Sequence, residues 1–597
     1  EVYDAPFRAA VEQAGAAAVM CSYGAIDGTP TCENHAVLNS LKRLRSFTGF
    51  VRSDESAVTD PIAAFQAGMD MIKPAANGVL AAAIADGKLA PSRLDNAVER
   101  ILTEEFAFGL VGHPNRGEIG DVVRTAQHSE VALEVAEQSI VLLKDSRSVL
   151  PLERRPGLSV AVIGDDAGSG AMTAGGGGAT VIAPYVVTPL QALTSALGSQ
   201  HVEYVPAVPT GQASVVLAPR GSGPVPVTPF DDTASAPGSG PGWRSAATSY
   251  TPAASGTYVV SMSSYGDSFL TMEGGQLQSL HGIDTWPSPQ TSTAVVDLVA
   301  HSTYHFALSW FSQVPSQPVV SVQDVSGAIA SAVAAAKSVE VPIVFAGAEE
   351  TEGEDRPNLS LPGYQDELIS AVAAANPRTV VVLNTGGAVL VPWLRDVAAL
   401  LEAWYPGEED GAAIAAVLLG RVDPSGRLPV TFPVTQASQP LSSPSEWPGI
   451  DGSVAFSDGL DIGYRGYLAE GKKMRFPFGF GLSYTRFRLS DLAVSATPAG
   501  DSASVLVDNV GDRPGREVVE AYLAFPASAG EPPEQLVAVG SAELTPGATA
   551  TVTLDVPASA FEADLGGRWR TVPGSYELSI GTSAARPDLQ TVLPAPG

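Results

Sequence analysis

At 597 residues the chain has room for about four domains. Acidic residues outnumber basic ones 64 to 34, a net charge of −30. That excludes a nucleic-acid binder, which needs a basic footprint, and disfavours anionic membranes and strongly acidic substrates. Apolar residues at 45% and charged residues at 16% exclude a disordered chain. The long apolar runs, such as 379–394, are broken by Asn, Gly and Pro well short of the roughly 20 residues of a membrane span, so no transmembrane helix is expected.

Residues 1–112 alternate strand and helix. Strands are expected at 16–22, at 49–53 ending on Asp54, and at 69–72. A helix follows, with Ser92 and Asp95 as a capping box and Leu94, Ala97, Val98, Ile101 and Leu102 on one apolar face. This order implies a parallel α/β sheet or barrel, with only about three units, too few to close eight strands. Cys21 and Cys32 have no metal spacing and no His in register. A local disulfide, implying an oxidising compartment, is the preferred reading, with two buried thiols as the alternative.

Residues 125–207 and 326–435 read as one α/β domain in two pieces. Buried strands are expected at 159–163, 341–347, 379–384 and 400–404, and a helix at 365–374. The stretch 208–325 is rich in Ser, Pro, Gly and Thr. Tyr304, Phe306, Leu308 and Trp310 alternate as in a half-buried strand, so an inserted all-β domain is expected. Segment 436–487 carries an acidic loop and leaves the α/β domain. From 488 to 597 short alternating strands at 504–507, 517–523 and 550–554 read as a β-sandwich.

The glycine run 175–178 lacks the GxGxxG and GK[ST] patterns, so a tight turn or a loop approaching another domain is expected rather than a nucleotide site. The seven His form no zinc motif, and there is no G-x-S-x-G elbow; no metal and no cofactor is expected. Carboxylates remain. Asp54 ends a buried strand, where parallel α/β enzymes place catalytic groups, although an Asp there also caps helices. Glu349, Glu350, Glu352, Glu354 and Asp355 follow the strand 341–347. Asp458 and Asp461 lie in FSDGLDIGYRGY. Paired carboxylates without metal ligands fit glycoside hydrolysis, which needs an ionised nucleophile and a proton donor.

GAAAVMCSYGAIDGTPTCENH, GFVRSDESAV and AGMDM resemble the end of the barrel in glycoside hydrolase family 3. SIVLLKDSRSVLPL, EGEDRPNLSLP, YPGEEDGAAIAAVLLGRVDPSGRLPVTFP and FPFGFGLSYTRF resemble that family's α/β-sandwich domain, and the tail its fibronectin type III-like domain. GTYVVSMSSYGDSFLTMEG is similar to a protective-antigen-type β-sandwich that some members carry as an insertion. The implied fold is α/β multidomain: a partial TIM-like barrel, an α/β sandwich, the inserted β-sandwich and the terminal sandwich. The resemblance makes Asp54 the nucleophile, places Tyr23 beside it, makes Asp458 the acid/base with Glu354 in reserve, and matches Cys21 and Cys32 to a disulfide of secreted members. The EGEDR acids become structural or pocket-wall groups. The implied partners are a β-glucoside and the glucose released.

Three departures qualify this. The family's Lys-His motif and most of the barrel are absent, so a competent sugar site is expected to require a barrel portion N-terminal to residue 1, preceding the chain or as a separate fragment. Glu55 stands where the family has Trp, placing an acid at the edge of the sugar site. Asp458 is one methylene shorter than the family's usual Glu. The expectation is a secreted retaining β-glucosidase acting on a specialised glucoside, such as a glucosylated macrolide in the self-resistance of an antibiotic-producing actinobacterium. The insertion, with Trp243 or Trp286, is expected to wall the aglycone side. A general β-glucosidase for oligosaccharide or plant glucosides, and a non-catalytic carbohydrate-binding remnant, are the alternatives.

Overall fold

The computed structural model describes residues 2–43, 47–113, 117–152, 157–176, 178, 181–209, 214–217, 242–264, 268–280, 290–312, 318–352, 356, 358–447, 449–450 and 452–595. Glu354, Asp355 and Trp286 lie outside these residues, as does the side chain of Trp243. The chain divides into two units, Glu1–Val123 and Arg124–Gly597, each described by itself.

In the first unit three parallel strands pair in the order Ala18–Cys21, Phe50–Glu55, Met71–Lys73, so the strand bearing Asp54 is the central one. Val51 and Ser53 are buried while Asp54 is half-buried at the strand's end. The helix Pro91–Ala107 begins one residue before the expected cap: Ala90 is its N-cap and makes no side-chain bond. Pro91 explains the shift, since its fixed φ and missing N–H suit the first helical position and leave Ser92 inside the helix. Of the expected apolar face, Ala97 is buried and Leu94 and Ile101 are half-buried, but Val98 and Leu102 stay exposed; the unit's core covers only the centre of the stripe.

Cys21 and Cys32 are bonded, with Cα atoms 5.3 Å apart. Cross-linking residues 11 apart removes about 3 kcal/mol of chain entropy from the unfolded state at most. Replacing both by Ser is therefore expected to lower the unfolding free energy of this unit by up to about 3 kcal/mol in denaturant titration. An unchanged midpoint would show that the cross-link adds nothing.

The second unit is built on a six-stranded sheet in the order Val141–Asp145, Ala399–Glu402, Val380–Thr385, Val341–Ala348, Val160–Ile163, Val202–Val205. All neighbours are parallel except the first pair. The strands are apolar throughout because both faces are covered, and period two splits their side chains between two cores. Val160, Val162, Ile343, Phe345, Val380 and Val382 face one core; Ala161, Ile163, Val344, Ala346, Val381 and Leu383 face the other.

The inserted region forms two four-stranded antiparallel sheets, Gln290–Leu298, Gly256–Ser264, Val319–Asp324, Ser214–Leu217 and Gly242–Tyr250, Tyr304–Ser312, Ser268–Met272, Gly275–Leu280. Phe306, Leu308 and Trp310 point into their shared core with Tyr304 at its margin, as alternation predicts. The C-terminal region packs a three-stranded sheet, Phe487–Thr497, Gly500–Asn509 and Thr549–Pro557, on a four-stranded one, with Val505, Val519, Leu554 and Tyr576 between them.

Candidate active site

Asp54 and the residues expected around it come together in the first unit. The helix Pro61–Ala67 is capped by Asp60, whose Oδ1 accepts from Ile62 N at 2.8 Å and Ala63 N at 3.1 Å. Helix capping is thus done by another residue, and the Asp54 carboxyl stands at the strand end with Oδ1 accepting from Glu55 N at 2.7 Å. The Tyr23 hydroxyl donates to Glu55 O at 2.9 Å, which fixes the exposed phenol beside the Asp54–Glu55 turn. The Glu55 carboxylate turns to the Lys73 ammonium at 3.0 Å, both side chains more than half exposed. Ser56, at φ 62°, takes the left-handed conformation that lets the chain leave the sheet at once, and its N–H donates to Lys73 O at 2.8 Å.

The group that holds this strand in place is Asp70, in AGMDM. It is buried, and its Oδ2 accepts from Val51 N at 2.9 Å, three residues ahead of Asp54. Lys42 Nζ lies 2.7 Å and Arg93 Nη2 2.6 Å from the same carboxylate. Two cations and a backbone donor satisfy a buried charge that would otherwise be costly. Burial lowers the Lys42 pKa, partly offset by its bonds to Asp70. The motif carries the family resemblance, but nothing in the sequence gives Asp70 a part; its partners 28 residues before and 23 after leave no local signature.

The acidic cluster after the strand Val341–Ala348 belongs to the second unit. Glu350 Oε1 accepts from Arg356 Nη1 at 2.8 Å, and the same nitrogen donates to Ala388 O at 3.0 Å. Glu350 N donates to the Tyr405 hydroxyl at 2.9 Å, and burial pushes that phenol up to about 12. The glycine run packs against this loop of its own unit rather than approaching another domain. A Cβ on Gly175 would sit 2.4 Å from Glu350 O and one on Gly176 2.1 Å from Thr351 Oγ1, so only glycine permits the approach.

At the C-terminal edge of the same sheet lie three buried carboxyls that sequence reading did not single out. Glu402 accepts from Thr385 N, Thr385 Oγ1 and Trp404 N, yet complete burial raises it to about 8. Burial, reinforced by the charge of Asp166, raises Asp410 to about 8; Asp166 is raised to about 7 by burial. Among the described residues, Asp166 Oδ2 and Asp410 Oδ1 have no hydrogen-bond partner. Because these folded-state values lie above the ordinary value near 4, the folded chain holds more protons than the unfolded one between about pH 4 and 8. Their contribution to stability is full below pH 4 and is lost as pH rises through 8. Asp410→Asn is expected to flatten the fall in thermal midpoint between pH 5 and pH 8, and an unchanged slope would show that Asp410 does not titrate in this range.

Asp458 is half-buried in a loop of the second unit. Asp461 N donates to Asp458 O at 2.9 Å, and Gly459 and Gly463, at φ 59° and 62°, flank the turn. The loop's exit is anchored by Tyr464, whose ring stacks on Phe478 at 4.7 Å and whose hydroxyl accepts from Leu536 N at 2.7 Å. Asp458 thus sits on a segment fastened at its downstream end to the β-sandwich.

The comparisons with known proteins agree with this architecture. Residues 1–104 match the glycosyl hydrolase family 3 N terminal domain, residues 140–484 the glycosyl hydrolase family 3 C-terminal domain, and residues 517–584 a fibronectin type III-like domain. A beta-glucosidase of Rhizobium radiobacter is 34% identical, over 98% of this chain and 77% of its own. The crystal structure of DesR, a beta-glucosidase from Streptomyces venezuelae in complex with D-glucose, superposes with a TM-score of 0.78 at 30% identity, covering 99% of this chain and 77% of that one. Beta-glucosidase from Kluyveromyces marxianus in complex with glucose gives 0.78 at 26% identity, covering 100% and 79%. With both family domains matched in order and a relative of this identity along nearly its whole length, the chain belongs to glycosyl hydrolase family 3 and is a glycoside hydrolase.

Proposed function

We propose that the protein is a retaining β-glucosidase that removes terminal non-reducing β-D-glucosyl residues by double displacement. Asp54 attacks the anomeric carbon while Asp458 gives a proton to the departing glycosidic oxygen. Asp458 then takes a proton from water, which displaces Asp54 and releases glucose with its configuration retained. The observation that carries this reading is the position of Asp54: a carboxyl at the C-terminal end of a central parallel strand, with the neighbouring helix capped by a different Asp. Tyr23 and Glu55 form the rim beside it.

The preferred substrate is a glucosylated small molecule such as a macrolide. The inserted double-sheet region, read as the protective-antigen-type sandwich that some members of the family carry, supports this. A general β-glucosidase for oligosaccharide or plant glucosides is the second reading, and the likeness to the beta-glucosidase of Rhizobium radiobacter fits it equally. The Cys21–Cys32 bond fits an extracellular site of action.

The test compares nitrophenyl β-glucoside, β-xyloside and N-acetyl-β-glucosaminide with one another, and a glucosylated macrolide with cellobiose. The β-glucoside is expected to be the best of the three nitrophenyl sugars, and the macrolide to exceed cellobiose in kcat/KM. Faster cleavage of the xyloside or glucosaminide would reject the sugar, and a preference for cellobiose would favour the general enzyme.

A further inference from the structure

The strand that ends at Asp54 and Glu55 is not evenly paired with its neighbour. Arg52 is opposite Met71 and Glu55 is opposite Lys73, so three steps on the central strand match two on the next. The extra residue lies at Ser53–Asp54, and a bulge of this kind re-aims the side chain it carries. Residue 73 stitches both sides of it. Lys73 N donates to Ser53 Oγ at 2.9 Å, and Lys73 O accepts from Ser56 N at 2.8 Å and from the Ser53 hydroxyl at 3.4 Å. Ser53 is buried, which shields its bonds from water.

Glu55 is in turn held at three points. Its N–H donates to Asp54 Oδ1 at 2.7 Å, its carbonyl accepts from the Tyr23 hydroxyl at 2.9 Å, and its carboxylate meets Lys73 Nζ at 3.0 Å. Tyr23 follows the strand on one flank and Lys73 ends the strand on the other, so the residue whose N–H orients Asp54 is clamped from both sides. The Lys73 and Glu55 side chains are more than half exposed, and an ion pair in such a setting adds little to stability. What it fixes is a direction. It draws the Glu55 carboxylate across to the neighbouring strand and cancels its charge beside a nucleophile that must itself be negative.

We propose that Lys73 is a positioning residue for the step that forms the glucosyl-enzyme: acting through Glu55, its ammonium sets the direction of the Asp54 carboxyl. This rests on the reading of Asp54 as nucleophile. Attack needs the carboxylate oxygen in line with the anomeric carbon, and a displacement of about 1 Å costs as much as roughly 100-fold in rate. Such a loss falls on the chemical step and leaves binding of the glucoside nearly unchanged. The main-chain bonds of residue 73 do not depend on its side chain, so replacing that side chain removes the ion pair and keeps the stitch.

Inactivation of the intact protein by dinitrophenyl 2-deoxy-2-fluoro-β-glucoside isolates this step. The limiting rate of inactivation reads the chemistry, and the half-saturating concentration reads binding. Lys73→Gln is expected to lower the limiting rate about 10-fold and to leave the half-saturating concentration within about twofold. Lys73→Arg, which keeps the pair, should recover most of the rate. In a Glu55→Gln background the same Lys73→Gln change should cost less than about twofold, because the partner through which it acts is gone. A limiting rate for Lys73→Gln within twofold of native would overturn the proposal. So would a change confined to the half-saturating concentration, or a tenfold loss that persists in the Glu55→Gln background. Peptide mapping of the labelled native protein separates this from the underlying reading. A label on Asp54 with no effect of Lys73→Gln overturns the positioning role alone, whereas a label on another carboxylate removes the nucleophile and the positioning role with it.

Discussion

Asp54→Asn is expected to lose roughly four orders of magnitude in turnover while the protein remains folded. The substitution keeps the shape of the side chain and an oxygen for the bond from Glu55 N, at 2.7 Å in the native protein. It removes the charged oxygen that forms the bond to the anomeric carbon. The neighbouring carboxylates are engaged elsewhere: Glu55 is turned to Lys73, and Asp60 is committed to the N–H groups of Ile62 and Ala63. The strand itself is held from Asp70 through Val51 N, which the substitution leaves untouched. The thermal midpoint should therefore move by no more than about a degree while activity disappears. Turnover within tenfold of the native protein would remove Asp54 from the reaction.

Asp458→Ala is expected to divide substrates by the quality of their leaving group. A sugar or macrolide alcohol leaves only with a proton, so hydrolysis of such glucosides should fall by roughly three orders of magnitude. Dinitrophenolate leaves unaided, so the first step on dinitrophenyl β-glucoside should keep most of its rate. The glycosyl-enzyme then accumulates, because no base activates the water. Azide needs no base, and adding it should restore turnover with β-glucosyl azide as product. Equal slowing of both substrates and no effect of azide would place the role elsewhere, with Glu354 the next residue to replace.

The parts of the fold legible in the sequence were those whose burial is uniform. Strands such as Val341–Ala348 and Val380–Thr385 are covered on both faces and read as unbroken apolar runs, while Tyr304, Phe306, Leu308 and Trp310 show a face by alternation. Asp54 stood out as a carboxyl closing a buried strand, a place that suits a helix cap equally well, and the roles proposed for Asp54, Asp458 and Tyr23 come from the resemblance of their surroundings to family motifs; the structure adds that the neighbouring helix is capped by Asp60. What escaped was every group whose meaning depends on distant partners. Asp70 is defined by Lys42, Arg93 and Val51, and the Asp166–Asp410 pair by a short 3-10 turn, Asp165–Ala167, and the start of the helix Asp410–Leu418, far apart in sequence. Glu446 reads as one more surface acid until the Ser457 hydroxyl is seen to close on it. The misplaced cap at Ser92 is a local failure, where the preference of Pro91 for the first helical position outweighed the Ser–Asp spacing.

The central claim, a covalent glucosyl-enzyme formed on Asp54, is open to direct measurement. A 2-deoxy-2-fluoro-β-glucoside with a good leaving group slows both steps but slows hydrolysis of the intermediate more, so the ester persists long enough for digestion and mass spectrometry. The account predicts one added 2-fluoroglucosyl mass on the peptide containing GFVRSDESAV, with fragmentation placing it on Asp54. A label on any other carboxylate, or turnover of the inactivator without a label, would contradict it.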